Sequence, residues 1–354
     1  MKNKVQQFIT EKSLFTREDK LILGISGGAD SVCLMHVFLE LGYSFELAHC
    51  NFNLREEESD ADEYFVKDLA KEYQLKIHVK QFDTLAYAAE NKISTQMAAR
   101  DLRYAWFEKL RIKSSAKYLA IAHHANDDVE TFFINLVRGS GLKGFLGIKE
   151  KNNAIVRPLL SVSRLEIEQY LKDRGLVFRE DSSNASVKYL RNKIRHELIP
   201  LLAQMNPSIQ QTVKDEMRIL DGVAQIYAAK VEEVRKDLTQ EKNGIVQLEI
   251  SALLALNPLH SYLYELLSAY GFYAVEAISK ALQGQSGKQF FSSTHQLVVD
   301  RENIFISLLN KENEVFEITE KTTSLVHPLE INFKVIADKT IIYDNNIANW
   351  MLIN

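Results

Sequence analysis

The chain has 354 residues, 46% of them hydrophobic and 25% charged, a balance that supplies more than one packed core and excludes a disordered or fibrous protein. Its formal net charge of -4 excludes a global attraction to polyanions, so any nucleic-acid site must be a local basic patch. Two cysteines, Cys33 and Cys50, cannot form a disulfide framework or a Cys-x-x-Cys metal or redox site. No signal-peptide core opens the sequence, and no run reaches the roughly 18 apolar residues that a membrane span needs. A cytoplasmic protein without membrane contact is therefore expected.

Short apolar runs rich in strand formers at 21–25, 45–49, 76–79 and 118–122 alternate with helix-length amphipathic segments. That alternation predicts an α/β fold with a parallel sheet covered by helices. Residues 159–174 and 187–202 read as helices flanking a Ser- and Asn-rich turn around 181–184. One long charged helix is expected from 206 to 242, stopped by Asn243-Gly244, with a strand at 245–250. Further strands at 288–291, 295–299 and 303–308 make the region after 251 a small α+β unit. The expected organisation is a catalytic domain over 1–205, a helical linker over 206–243, a small α+β domain over 244–312, and a partial or truncated C-terminal domain over 313–354.

The sharpest local signal is Ser26-Gly27-Gly28-Ala29-Asp30-Ser31, between the first strand and a helical run. Adjacent glycines let the backbone approach an anion, the hydroxyls of Ser26 and Ser31 can donate to phosphate oxygens, and the helix start adds amides and a positive dipole end. Asp30 beside phosphates makes sense if Mg²⁺ bridges carboxylate and phosphate oxygens. The plain alternative is an Asp/Ser N-cap after a glycine turn. No Gly-Lys-Ser/Thr follows, so this is not a Walker A loop, and cleavage between the α- and β-phosphates is favoured over γ-phosphate hydrolysis. Gly139-Ser-Gly-Leu-Lys-Gly144 fits the dinucleotide-binding pattern but follows a helix, which rejects a Rossmann reading.

A second constellation, His123-His124-Ala125-Asn126-Asp127-Asp128-Val129-Glu130-Thr131, follows the strand at 118–122. In an open parallel sheet ligands bind at the C-terminal strand ends, so this segment should face the Ser26–Ser31 loop. Asp127 and Glu130 share a helix face and suit a cationic amine, with helix capping by Asn126 and Asp127 as the alternative. Lacking a Pro-Cys-x-x-Cys or His-Glu-x-x-His partner, the His pair is a poor zinc site. Arg100 and Arg103, with Tyr104 and Trp106, offer cations for substrate phosphates, while Trp106 and Phe107 bury apolar surface. Lys188, Arg191, Lys193, Arg195 and His196 place five potential cations in nine residues, either a solvated helix face or an RNA-backbone patch.

Together these strings resemble the tRNA(Ile)-lysidine synthetases of the PP-loop (N-type) ATP pyrophosphatase group. The resemblance runs through 22–31, 49–62, 99–107, 122–148 and 157–202. It is singled out by the His-His-Ala-x-Asp-x-x-Glu-Thr string, the Arg138-Gly-Ser-Gly141 run, and Asp181-Ser-Ser-Asn184 followed by Tyr189-Leu-Arg-Asn-Lys-Ile-Arg-His196. Gly287-Lys-Gln-Phe290 and Leu297-Val-Val-Asp-Arg301 look like the family's first C-terminal tRNA-binding domain. Asn126 stands where the family commonly has Asp, Asp128 where it commonly has Gln, and Asn51-Phe-Asn53 replaces a usual Asn-His pair.

The resemblance implies an adenine nucleotide alpha hydrolase-like catalytic domain and a two-step ligation on the wobble cytidine of the CAU-anticodon tRNA(Ile). ATP first adenylates the cytosine with release of pyrophosphate, and L-lysine then displaces AMP to give lysidine. Ser26, Gly27, Gly28, Ala29, Asp30 and Ser31 would bind ATP, Asp30 would hold Mg²⁺, and Asp127 and Glu130 would bind lysine. Arg100, Arg103, Arg138, Lys188, Arg191, Lys193 and Arg195 would face tRNA. A homodimer is compatible with the sequence. The rivals are a PP-loop tRNA thiolase, disfavoured by the unpaired cysteines, and a catalytically silent tRNA-binding adaptor, disfavoured by an intact Asp30, Asp127 and Glu130.

Overall fold

A computed structural model describes residues 1–55, 57–179, 190–284 and 286–309, together with the backbone of 324–325 and 331–332. The turn expected at 181–184, Lys188, Tyr189 and most of 313–354 lie outside the described residues. The chain forms two compact units, Met1–Lys230 and Val231–Asn354.

The first unit is built on strands β1 (Leu21–Gly24), β2 (Phe45–Asn51), β3 (Ile77–Gln81), β4 (Tyr118–Ala120), β5 (Lys151–Asn152) and β6 (Ile155–Val156). They form one sheet in the order β3-β2-β1-β4-β6-β5, parallel except for β5, which pairs antiparallel with β6. Its helices are α1 (Lys2–Glu11), α2 (Ala29–Leu41), α3 (Glu57–Glu72), α4 (Thr84–Asn91), α5 (Thr95–Lys113), α6 (Ala125–Arg138), α7 (Gly141–Gly144), α8 (Arg164–Asp173), α9 (Leu190–Lys193) and α10 (Ile199–Met205). A helix α11 (Ile209–Leu238) contains the division between the units.

Successive residues of a strand face opposite sides, so the continuous apolar runs serve two cores at once. Leu21, Leu23 and Leu47 point into a core with Val5 and Ile9 of α1, Val32, Leu34, Met35 and Phe38 of α2, Val66 of α3 and Ile167 of α8. Ile22 and Ala48 point the other way, onto Phe107 and Leu110 of α5. Gly24 lets that helix come close, because a Cβ there would lie 3.1 Å from the Phe107 ring.

The chain leaves β1 toward β2 and β3 on one side and reaches β4 on the other. That reversal between β1 and β4 opens a crevice beyond their C-terminal ends, the usual ligand position in an open α/β sheet.

The expected helix at 159–174 is shorter. A 3₁₀ turn at Pro158–Ser161 precedes α8, whose start is fixed by a capping box in which Ser163 and Glu166 exchange hydrogen bonds. The described part of the expected helix at 187–202 contains a π-helical turn, Ile194–Leu198, between α9 and α10. The β5–β6 hairpin escaped the sequence reading because two-residue strands carry no measurable period.

In the second unit, β7 (Gln240–Lys242), β8 (Ile245–Glu249), β9 (Lys288–Phe291), β10 (His295–Val299) and β11 (Asn303–Leu308) form an antiparallel sheet ordered β7-β8-β11-β10-β9. Helices α12 (Ile250–Leu254), α13 (Leu259–Leu267) and α14 (Val275–Leu282) cover one face, burying Leu253, Leu263, Leu266 and Ile278 against Leu248, Leu297, Ile304 and Ile306. Asn243-Gly244 does not stop the long helix, which ends at Leu238. It forms the β7–β8 turn with φ of 53° and 73°, the conformation that Asn-Gly favours in hairpins. The charged β7 was invisible to an apolar pattern. Two further short strands, β12 (Ser324–Leu325) and β13 (Ile331–Asn332), pair antiparallel. Among the described residues, no helix is long and apolar enough to cross a membrane.

Candidate active site at the β1–β4 switch point

The loop after β1 is organised by its own polar atoms. The Ser26 amide donates to Ser31 Oγ at 3.1 Å, the Ser31 hydroxyl donates to the Gly28 carbonyl at 3.0 Å, and the Gly28 amide donates to Ser26 Oγ at 3.3 Å. Gly27 has φ of 91°, and a Cβ there would meet the Phe65 ring at 3.2 Å, so both conformation and space require glycine. The Arg179 amide donates to the Gly27 carbonyl at 3.0 Å, pinning the loop from outside. This leaves α2 starting at Ala29 with its first-turn amides and dipole end at the crevice, a ready anion site.

Across the crevice, β4 runs into α6 through His123 and His124. The buried His124 caps α6: its Nδ1 accepts the amides of Asn126 at 3.2 Å and Asp127 at 3.4 Å, while its own amide donates to Asp127 Oδ2 at 2.9 Å. An accepting Nδ1 places the proton of the neutral ring on Nε2, which lies 3.7 Å from Asp30 Oδ2. His123 Nδ1 accepts from Arg157 Nε at 3.1 Å. Burial, reinforced by the Arg157 charge, pushes His123 down to about 4 despite the opposing pull of Asp127, so it is neutral at physiological pH. Both histidines are thus committed through Nδ1 to protein groups, and no cluster of three or more His, Cys, Asp or Glu able to hold a metal occurs among the described residues.

Asp30, in the first turn of α2, bonds Arg164 Nη1 at 2.8 Å. Burial raises its carboxyl above the ordinary range although the His124 ring and the Arg164 guanidinium oppose the rise, so the site favours a further cation. A single carboxylate beside serine hydroxyls is too small a set for an all-protein metal cage. It does suit Mg²⁺, which is held by one or two carboxylates with the remaining ligands from phosphates and water.

Asp127 and Glu130 are brought together, one turn apart on α6 and both buried. Burial would raise Asp127, but the His124 ring and amide, with the Arg191 charge beyond, hold it below the usual carboxylate range. Glu130 is grasped by Arg195, whose Nε lies 2.5 Å from Oε1 and Nη2 3.0 Å from Oε2. Arg191 Nε stands 3.4 Å from Glu130 Oε2, and Arg195 Nη2 stands 3.5 Å from Asp127 Oδ1. The basic run read as one outward face is therefore divided. Arg191 and Arg195 turn onto the acidic pair while Lys193 is exposed, because the π-helical turn and the buried carboxylates draw two cations inward.

Arg100 is exposed on α5 and lies over the Tyr104 ring at 4.9 Å, and Arg103 lies over Phe52 at 5.1 Å. Phe107 is buried and Trp106 half-buried, packed against each other with ring centroids 5.4 Å apart. Arg138 is exposed at the last turn of α6. The two family departures in α6 are both engaged. Asn126 Oδ1 accepts the Arg164 amide at 2.9 Å, and Asp128 Oδ1 accepts the Ile148 amide at 2.5 Å.

Sequence reasoning missed Arg164, Arg157, Arg179 and the capping role of His124. The Ser163-x-x-Glu166 box could have placed Arg164 at the start of a helix, but nothing local tells that this start abuts Asp30, 134 residues away in sequence.

Residues 1–202 match the family described as the PP-loop domain, and residues 240–310 match the TilS substrate binding domain. A tRNA(Ile)-lysidine synthase of Bacteroides thetaiotaomicron is 41% identical over 316 residues, covering 89% of this chain and 73% of that one. The corresponding protein of Parabacteroides distasonis is 40% identical over 333 residues, covering 93% and 75%. Among solved structures, a U34-tRNA thiolase of Methanococcus maripaludis, determined with its 4Fe-4S cluster, superposes with a TM-score of 0.52 at 17% identity, covering 62% of this chain and 78% of that one, which speaks to the fold alone. With a PP-loop domain followed by the TilS substrate binding domain, and about 40% identity across most of its length, this chain belongs to the tRNA(Ile)-lysidine synthase family of ATP-using enzymes.

Proposed function

We propose that the chain ligates the ε-amine of L-lysine to carbon 2 of the wobble cytidine in the CAU-anticodon tRNA(Ile), consuming ATP and releasing pyrophosphate and AMP. The observation that carries this reading is the position of His124. One buried ring stands 3.7 Å from Asp30 on one side and 3.7 Å from Asp127 on the other, so a phosphate-type loop and an amine-type acidic pair share one crevice.

In this reading the loop Ser26-Gly27-Gly28-Ala29-Asp30-Ser31 receives the ATP phosphates on the amides of Gly27, Ala29 and Ser31 and the Ser26 hydroxyl, while the Ser26 and Gly28 amides and the Ser31 hydroxyl hold its shape, with Asp30 as the protein ligand of Mg²⁺. The metal would supply positive charge where the leaving pyrophosphate gathers negative charge. The Nε2–H of His124 is aimed at the same region. Asp127 and Glu130 bind lysine and take up the proton of its amine. Arg100, Arg103, Arg138 and Lys193 provide cations for tRNA phosphates, with Lys188 outside the described residues. The reading places the enzyme in the cytoplasm with its tRNA, and a homodimer belongs to it as a further proposal.

The thiolase alternative has less support. Burial pushes the Cys33 and Cys50 thiols up to about 12 each, so neither is a ready thiolate for sulfur transfer.

The decisive experiment is incorporation of labelled lysine into a CAU-anticodon tRNA(Ile), with ATP and Mg²⁺, beside the same tRNA lacking the wobble cytidine. Incorporation into the first alone is expected. Pyrophosphate release without lysine transfer would retain ATP chemistry and overturn the choice of nucleophile.

A further inference from the structure

The amine of lysine must be neutral to attack, yet its ordinary pKa of about 10.4 leaves roughly one molecule in a thousand unprotonated near pH 7.5. Two bare carboxylates would make this worse, because negative neighbours favour the ammonium form. Asp127 and Glu130 are not bare. Arg195 spans both oxygens of Glu130 and approaches Asp127, and Arg191 stands on the same Glu130 oxygen.

We propose that Arg195, assisted by Arg191, keeps the lysine amine neutral for attack by cancelling the charge of the two carboxylates that hold it. The inference rests on the assignment of Asp127 and Glu130 to lysine and adds a role for the arginines. The charges facing this point come from four directions: Asp127 and Glu130 on α6, His123 and His124 at its start, Arg191 on α9 with Arg195 in the following turn, and Asp30 of α2 paired with Arg164 of α8. Arg157 and Arg100 lie beyond His123 and add positive charge. With His123 neutral, the two carboxylates meet two guanidiniums, and an incoming amine finds no excess negative charge to hold its extra proton.

Asp127 Oδ1 is held less closely than either oxygen of Glu130, since Arg195 comes only to 3.5 Å. It is the acceptor left for the proton released in the transfer. In that step the amine nitrogen forms a bond to carbon 2 of the adenylated cytosine. The bond from carbon 2 to the bridging oxygen breaks, AMP departs with that oxygen and the electron pair, and one amine proton passes to the carboxylate. Arg195 is thus a positioning residue that acts through the substrate's charge state, and its lysine-site role replaces a phosphate contact.

The test is the pH dependence of lysine transfer, with kcat and KM for lysine measured from pH 6 to 10 and normalised to the adenylated tRNA present. Arg195→Gln is expected to lower kcat at pH 7.5 at least tenfold without raising KM for lysine, and to displace the acid limb of the profile upward by about one pH unit or more. Arg195→Lys, which restores a cation, should return the limb toward its original position. Arg191→Gln repeats the test should Arg195→Gln fail to fold, with a smaller displacement in the same direction. A raised KM with an unmoved acid limb in these variants would overturn the proposal and leave the arginines a binding or structural role. Glu130→Gln reports separately on the underlying assignment: unchanged lysine KM and kcat in that variant would remove lysine from this site altogether, whatever the arginine variants do.

Discussion

The Nε2 atom of His124 faces the Asp30 carboxylate at 3.7 Å while its Nδ1 is held by two backbone amides of α6. The helix cap therefore fixes the tautomer, and the tautomer aims a proton at the carboxylate assigned to the metal.

His124→Ala should lose both the cap and the Nε2–H, costing about 1 kcal/mol of stability and at least tenfold in pyrophosphate release. His124→Asn keeps a capping acceptor but cannot reach Asp30. It should hold most of the stability and lose the same activity, as read by denaturant unfolding beside a pyrophosphate assay. Equal activity in the asparagine variant and the parent would show that His124 only caps the helix.

Asp128 supplies a pH signature. Burial raises its carboxyl to about 6, against the Ile148 amide that stabilises the charged form. A carboxyl with a raised folded pKa binds its proton more tightly in the folded state, so stability is greatest below about pH 4 and falls as pH rises through about 6. Asp128→Asn, which still accepts the Ile148 amide, should be more stable than the parent at pH 7.5, by on the order of 1 kcal/mol, and equal to it at pH 4. Thermal melts at the two pH values check this, and a variant less stable at pH 7.5 would contradict it. The family's usual Gln at this position is the neutral amide that the same argument favours.

Glu46 behaves in the opposite sense. Although burial opposes it, bonds from Lys20, His78 and Lys76 hold the carboxyl down at about 2, tying the start of β2 to β3 and to the approach to β1. Its stabilisation is complete above about pH 4.5 and disappears as pH falls toward 2. Glu46→Gln should lower stability at pH 7 by on the order of 1 to 2 kcal/mol and flatten the acid limb of the unfolding curve between pH 4.5 and 2. An acid limb identical to the parent's would exclude this cluster as its source.

The sequence by itself determined the parallel sheet, the order of its first four strands along the chain, and the two polar segments at strand ends. Those features are local: apolar runs of strand length, a glycine pair directly after a strand, and a carboxylate pair one helical turn apart. It also placed β9, β10 and β11 at their observed bounds, and burial alternates with a period of two along β10 and β11. What it could not show was short or charged structure, such as the β5–β6 hairpin and β7, where pairing rather than pattern makes the strand.

Only the tertiary structure decided what each charge does. Arg191, Lys193 and Arg195 are equivalent in a linear reading, yet two of them close on Glu130 and the third faces water. Arg164 reaches Asp30 because α8 starts beside α6, and His124 links the two halves of the crevice because β1 and β4 are neighbours at the sheet's switch point. A charge finds its partner through space, and the desolvation that decides which pairs form is a property of the folded surroundings, which no stretch of sequence contains.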